Sequence, residues 1–164
     1  MLLGVGVLSD VILADNLLPQ WSSEETIPEP IEVIAKATPK TIGGQNGLEV
    51  SVYGRLKESQ YIYSGESQGD PAPIPTSIEL DHPLFAKKGT VMESRTVQIR
   101  DTHFDRVLKV HRQEFQMRQK FTMKRLPLGE NLVVGGYLLY QQCTGRLCSL
   151  PTKSHFEIVV AVAD

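Results

Sequence analysis

Apolar residues recur at every second position through most of this chain, and that period constrains the fold more than any other feature. Ile31, Val33, Ala35 and Ala37 alternate with polar neighbours such as Glu32 and Lys36. Leu48, Val50, Val52, Gly54 and Leu56 alternate with Glu49, Ser51, Tyr53, Arg55 and Lys57. Phe115, Met117, Phe121 and Met123 do the same against Gln116, Arg118, Lys120 and Lys124, and Phe156, Ile158, Val160 and Val162 close the chain. Side chains at i and i+2 share one face of a strand, so each run offers one apolar and one wet face, as in antiparallel sheets. Thr38-Pro39 and Gly43-Gly44-Gln45-Asn46-Gly47 read as turns, and Pro71, Pro73 and Pro75 as an extended loop. A short turn is expected near Ala86-Lys87-Lys88, and no long helical period appears. Many short strands with frequent turn signals predict an all-β antiparallel sandwich. The Cys…Trp…Cys spacing of antibody domains is absent.

A length of 164 residues suits one domain with an extension. The domain is expected over residues 30–164, preceded by an N-terminal arm and linker over 1–29. In that arm Val5 to Leu13 reads as strand-like, Trp21 as a packing anchor and the Pro- and Ser-containing stretch 19–30 as linker; covering a sheet edge is its expected role. No secretory signal is evident, because the opening lacks a basic region and Asp10 and Asp15 interrupt its apolar run. With 17 Lys+Arg against 19 Asp+Glu the net charge is −2, which supplies no field for nucleic acid or an anionic membrane. The apolar runs are too short for a transmembrane helix.

All the thiol chemistry lies in one hexapeptide, Cys143-Thr-Gly-Arg-Leu-Cys148, between the runs Leu132–Tyr140 and Phe156–Val162. Such a pair serves as a disulfide, a redox dithiol or half a metal site. His82, His103, His111 and His155 are scattered and do not complete a metal-ligand pattern, and the haem-attachment motif is absent. Four intervening residues allow the Cβ atoms to come within about 4 Å, the bridging distance. Gly145 is expected to allow the tight turn. Arg146 is expected to favour a thiolate if it lies within about 6 Å. Pro151, without an N–H, is expected to end strand pairing beside the site.

The segment Tyr140-Gln141-Gln142-Cys143, then Cys148-Ser149-Leu150-Pro151, then the strand from Phe156, resembles the N-terminal periplasmic domain of the thiol:disulfide interchange protein DsbD. Tyr61-Ile62-Tyr63 stands where that family has a Tyr-x-Tyr pair on an early strand. The resemblance spans roughly residues 30–164 and marks a divergent member: four residues separate the cysteines where the familiar pattern has five, and Ser-Leu-Pro follows the second cysteine instead of an aromatic-Pro-Pro run. It implies an immunoglobulin-like sandwich in the periplasm that relays electrons from a thioredoxin-like domain, usually on the same polypeptide, to thioredoxin-fold acceptors. Membrane anchoring would come from that larger protein. Cys148 would form the mixed disulfide with partners and Cys143 would resolve it. A cap loop carrying an aromatic would shield the disulfide, and alignment places Phe104 there. No metal or organic cofactor is needed, because the dithiol carries the electrons.

Each of these residues also has a plainer reading. The cysteine pair could be a static staple in a β-sandwich binding or assembly module. Tyr61 and Tyr63 share a strand face, as packing aromatics or with their hydroxyls near the cysteines. Phe104 reads equally as core or cap. Asp101 and Asp105 are expected to be solvated loop acids, with proton handling near the thiols as the other reading, Tyr140 a packing residue, and Arg118, Lys120, Lys124 and Arg125 a wet strand face.

Overall fold

The computed structural model describes residues 28–124 and 131–160. Most of the expected arm, including Val5–Leu13 and Trp21, lies outside the described residues, as do Arg125 and Val162. In chain order the strands are β1 (Val33–Ile42), β2 (Gln45–Arg55), β3 (Tyr61–Tyr63), β4 (Ser77–Leu80), β5 (Phe85–Glu93), β6 (Val97–Asp101), β7 (Arg106–His111), β8 (Glu114–Met123), β9 (Leu132–Tyr140), β10 (Gln142–Cys143) and β11 (Thr152–Val160). All pair antiparallel, in sheets ordered β1-β2-β8-β5, β10-β3-β7-β6 and β11-β9-β4. The expected all-β architecture of antiparallel sheets is therefore found among the described residues.

The period-two pattern places the core. Leu48, Val50 and Val52 of β2 and Phe115, Met117 and Phe121 of β8 turn inward from the first sheet. Val134, Leu138 and Tyr140 of β9 and Phe156, Ile158 and Val160 of β11 meet them from the third. The entering chain is pinned to this core: the Ile31 N–H donates to Tyr140 Oη at 2.8 Å, and the Ser154 hydroxyl donates to the Ile31 carbonyl. Tyr140 is thus a packing residue, as expected.

Two turn expectations fail. Thr38-Pro39 lies inside β1, where Pro39 pairs with Leu48. Since β1 is a sheet edge, a residue without an N–H is tolerated there. The turn is Gly43-Gly44, with left-handed φ of 57° and 79°, the conformation that a two-residue hairpin needs. Ala86-Lys87-Lys88 belongs to β5, whose register shifts between Lys88 and Met92 around Gly89 (φ 71°).

A partly buried carboxylate ties the first sheet to the second. Glu93, at the end of β5, accepts from His111 Nε2 of β7 (2.8 Å), the Gly65 N–H (2.9 Å) and the Ser64 hydroxyl. Burial pushes the Glu93 carboxyl up, but these bonds outweigh it and hold the carboxyl below the ordinary range. Ser64 directly follows Tyr63, and Thr76 donates its hydroxyl to the Tyr63 carbonyl, so the end of β3 is fastened from behind.

Candidate functional site

The short strand β3 serves two clusters. Its alternation turns Ile62 into the main core and sends Tyr61 and Tyr63 to the opposite face, with Leu108, Val110 and Cys143. Cys143 arrives there because β10 pairs with β3, placing Cys143 opposite Tyr61 and Gln142 opposite Ile62. Cys143 and Cys148 are joined by a disulfide with Cα atoms 4.0 Å apart, across an isolated antiparallel bridge. Cys143 is wholly buried and Cys148 is partly exposed. The two sulfurs are therefore unequal in access.

Threonine, not glycine, shapes the loop between them. The Thr144 N–H donates to the Leu147 carbonyl at 2.8 Å, and Thr144 Oγ1 accepts from the N–H groups of Arg146 (3.3 Å) and Leu147 (3.1 Å). Gly145 has no left-handed φ, and a Cβ there would meet open space, which corrects the expectation that the turn depends on it. Ser149 closes the other side, donating its N–H to the Gln142 carbonyl and accepting the Gln142 N–H at its hydroxyl. Arg146 stands exposed at the loop tip. Pairing of β11 with β9 begins at Thr152, just past Pro151.

Asp101 overturns its expectation. Far from solvated, it is 1% exposed at the end of β6. Its Oδ2 accepts the hydroxyl protons of Tyr61 and Tyr63, each at 2.8 Å. Its Oδ1 accepts the N–H groups of His103 (2.8 Å) and Phe104 (3.0 Å). Burial raises the Asp101 carboxyl, yet the four hydrogen bonds outweigh it and hold it below its ordinary range. Both tyrosines are raised well above the ordinary phenol range, first by burial and then by their bonds to Asp101. Each hydroxyl is thus a fixed donor toward Asp101. Asp105, in contrast, is exposed and pairs with Arg100, as a solvated acid would.

Tyr63 links this acid to the sulfurs. Its Oη lies 3.3 Å from Cys143 Sγ and 3.8 Å from Cys148 Sγ. Its proton goes to Asp101, so its lone pairs face the cysteines. Phe104 packs against the same cluster, its ring edge-on to Tyr63 with centroids 5.9 Å apart. The structure thus brings Cys143, Cys148, Tyr61, Tyr63 and Phe104 together. Sequence reasoning gave Asp101 a place near the thiols only as its lesser reading, and it missed the buried Gln142 and Arg112, whose guanidinium sits 5.8 Å from the Tyr61 ring centroid. Asp101 had a local signal: an Asp opening a turn accepts N–H groups two and three residues on.

A solved structure is similar to this one: the N-terminal domain of DsbD from Neisseria meningitidis in the reduced form, at 19% identity and a TM-score of 0.46, with 78% of this chain and 82% of that chain covered. That is the family the sequence resembles. No family model matches the sequence, and no curated protein matches it. No helix among the described residues is long and apolar enough to cross a membrane.

Proposed function

We propose that this chain is a thiol–disulfide exchange domain, a protein-disulfide reductase module in which Cys143 and Cys148 shuttle between dithiol and disulfide. One observation carries the reading: the disulfide joins the buried Cys143 to the partly exposed Cys148, both sulfurs beside the hydroxyl of Tyr63, which donates to Asp101, with Phe104 packed against the same cluster. In-line attack needs access to a sulfur. Cys148 is the accessible one, so it forms and breaks the intermolecular bond. Cys143, inaccessible to a partner, resolves it. Tyr63 Oη, whose own proton is committed to Asp101, lies 3.3 Å from the sulfur of the buried Cys143 and 3.8 Å from that of Cys148. Phe104 shields the pair from small thiols until a partner displaces it.

The partners we propose are thioredoxin-fold proteins, one donating electrons and others accepting them, in an oxidising compartment such as the periplasm. The test is the reduction potential of Cys143–Cys148 with trapping by Cys143→Ser. A potential near those of thioredoxin-type proteins, about −270 to −120 mV, with a stable mixed disulfide to a thioredoxin-fold protein through Cys148, is the expected result. A value well below about −300 mV, with no trapped species, would make the bridge a staple and the domain a binding module.

A further inference from the structure

Leu150 is 84% exposed, more than any other large apolar side chain among the described residues. A lone surface leucine is ordinary. This one is set apart by its fastening and its place. Ser149, just before it, donates its N–H to the Gln142 carbonyl at 2.8 Å, and the Ser149 carbonyl accepts from Gln141 Nε2 at 3.2 Å. The Leu150 carbonyl accepts the Thr152 hydroxyl at 2.8 Å, and Pro151 between them has a fixed φ. The side chain therefore meets solvent while its backbone is held on both flanks. Other strongly exposed apolar residues, such as Ile34 of β1 and Val159 of β11, lie on strands, whereas Leu150 lies on the short tether between Cys148 and β11.

The Leu150 Cα is two residues from that of Cys148, so no more than about 7 Å away. Cys143 is wholly buried, so a partner must come to Cys148. A mixed disulfide brings the partner's sulfur to about 2 Å from Cys148 Sγ. A folded partner joined there covers about 800 Å² on each side, a patch about 16 Å in radius. Leu150 falls inside a footprint centred on that sulfur. We propose that Leu150 is a specificity-determining contact, seated in an apolar recess beside the reactive cysteine of a thioredoxin-fold partner. The proposal rests on the exchange reading and deepens it, because it assigns partner choice to a residue outside the thiol machinery. A held backbone loses little freedom when the contact forms, and water leaves the leucine surface. A small thiol reaches the same sulfur without covering Leu150 and draws no such stabilisation.

The probe is reduced thioredoxin, with dithiothreitol as the small-molecule control. In both, one thiolate attacks Cys148 Sγ, the Cys143–Cys148 bond breaks, and Cys143 leaves as a thiolate that takes up a proton. The reductant's second thiolate then attacks its own sulfur in the mixed disulfide, closing its disulfide and releasing Cys148. Two electrons pass to this domain, and the reductant is oxidised. The variants are Leu150→Ala, Leu150→Asp and Leu150→Met, the last keeping an apolar side chain of similar volume. Alkylation of quenched samples, read by mass, gives the second-order rate with each reductant.

Burial of a leucine side chain sets the scale. With thioredoxin, Leu150→Ala should slow reduction about three- to thirtyfold, and Leu150→Asp should slow it more. Leu150→Met should stay within about twofold of the parent. With dithiothreitol all three should match the parent within about twofold, and the equilibrium against dithiothreitol should not move. Circular dichroism checks that each variant is folded, which a substitution this exposed should leave intact. Equal thioredoxin rates for the parent and Leu150→Asp would overturn the contact. So would slowing by the same factor with dithiothreitol, because the effect would then lie in the cysteine loop itself. The two readings fail separately: a parent disulfide that reduced thioredoxin does not open sinks the exchange reading and the contact with it, whereas a reactive parent beside equally reactive variants sinks the contact alone.

Discussion

Asp101 is a carboxylate at the intersection of four donors, and its acid behaviour follows from that. Its folded pKa is depressed, so it stabilises the fold above the ordinary carboxylate range, and that contribution drains away as pH falls through the folded value. Asp101→Asn should cost about 1–3 kcal/mol at neutral pH, because an amide N–H₂ would face hydroxyl donors. Its stability should also fall less steeply than the parent's below about pH 4. Urea unfolding at several pH values reads both effects; parallel curves would show that Asp101 is not ionised in the fold. The tyrosines carry the opposite sign. Their raised folded values preserve stability below about pH 10 and lose it as pH climbs further. Of the five tyrosines, Tyr61 and Tyr63 should fail to ionise in an absorbance titration until the protein unfolds. Parity alone placed these two on one face, and sequence alone put the cysteines together. Asp101 was misread because its burial depends on what β3 brings across the sheet, a tertiary fact that no local pattern carries.

At the scale of elements, conformation and space separate two glycines that look alike in the sequence. Gly44 turns the β1–β2 hairpin with φ 79°, and Gly145 sits in the cysteine loop without a left-handed φ. Gly44→Ala should destabilise by about 1 kcal/mol, while Gly145→Ala should be nearly silent. Thermal melts of the two variants decide it, and a large loss from Gly145→Ala would contradict the threonine-based account of that loop. The alternation that announced β2, β8, β9 and β11 was legible because each has one face in the core. The interior of β1 and the irregular β5 were not. A proline reads as a turn unless its strand is known to be an edge, and a run such as Ala86-Lys87-Lys88 carries little apolar signal.

For the whole molecule, the division of labour between sheets governs what reduction does. The main core lies between the first and third sheets, whereas the disulfide belongs to the smaller cluster on the second. Opening a bridge across so short a loop removes about 2 kcal/mol by the chain-entropy argument, roughly 4–8 °C in Tm for a chain of this size. The dithiol form should keep its far-ultraviolet circular dichroism and a cooperative melt. Collapse on reduction would mean that the bridge is holding the fold up. Most strands here spend only half their residues on the interior, so drift on the outward half goes unpunished. Tyr61–Tyr63 is an exception, buried at all three positions and answering to a different neighbourhood at each step. A register slip by one residue would drop an isoleucine among the sulfurs and two phenols into the hydrocarbon interior. Saturation mutagenesis should therefore trace a dotted line of intolerance along β8 and β11 and a solid one across β3. The tripeptide leaves evolution no idle position through which to retune the thiols independently of the scaffold.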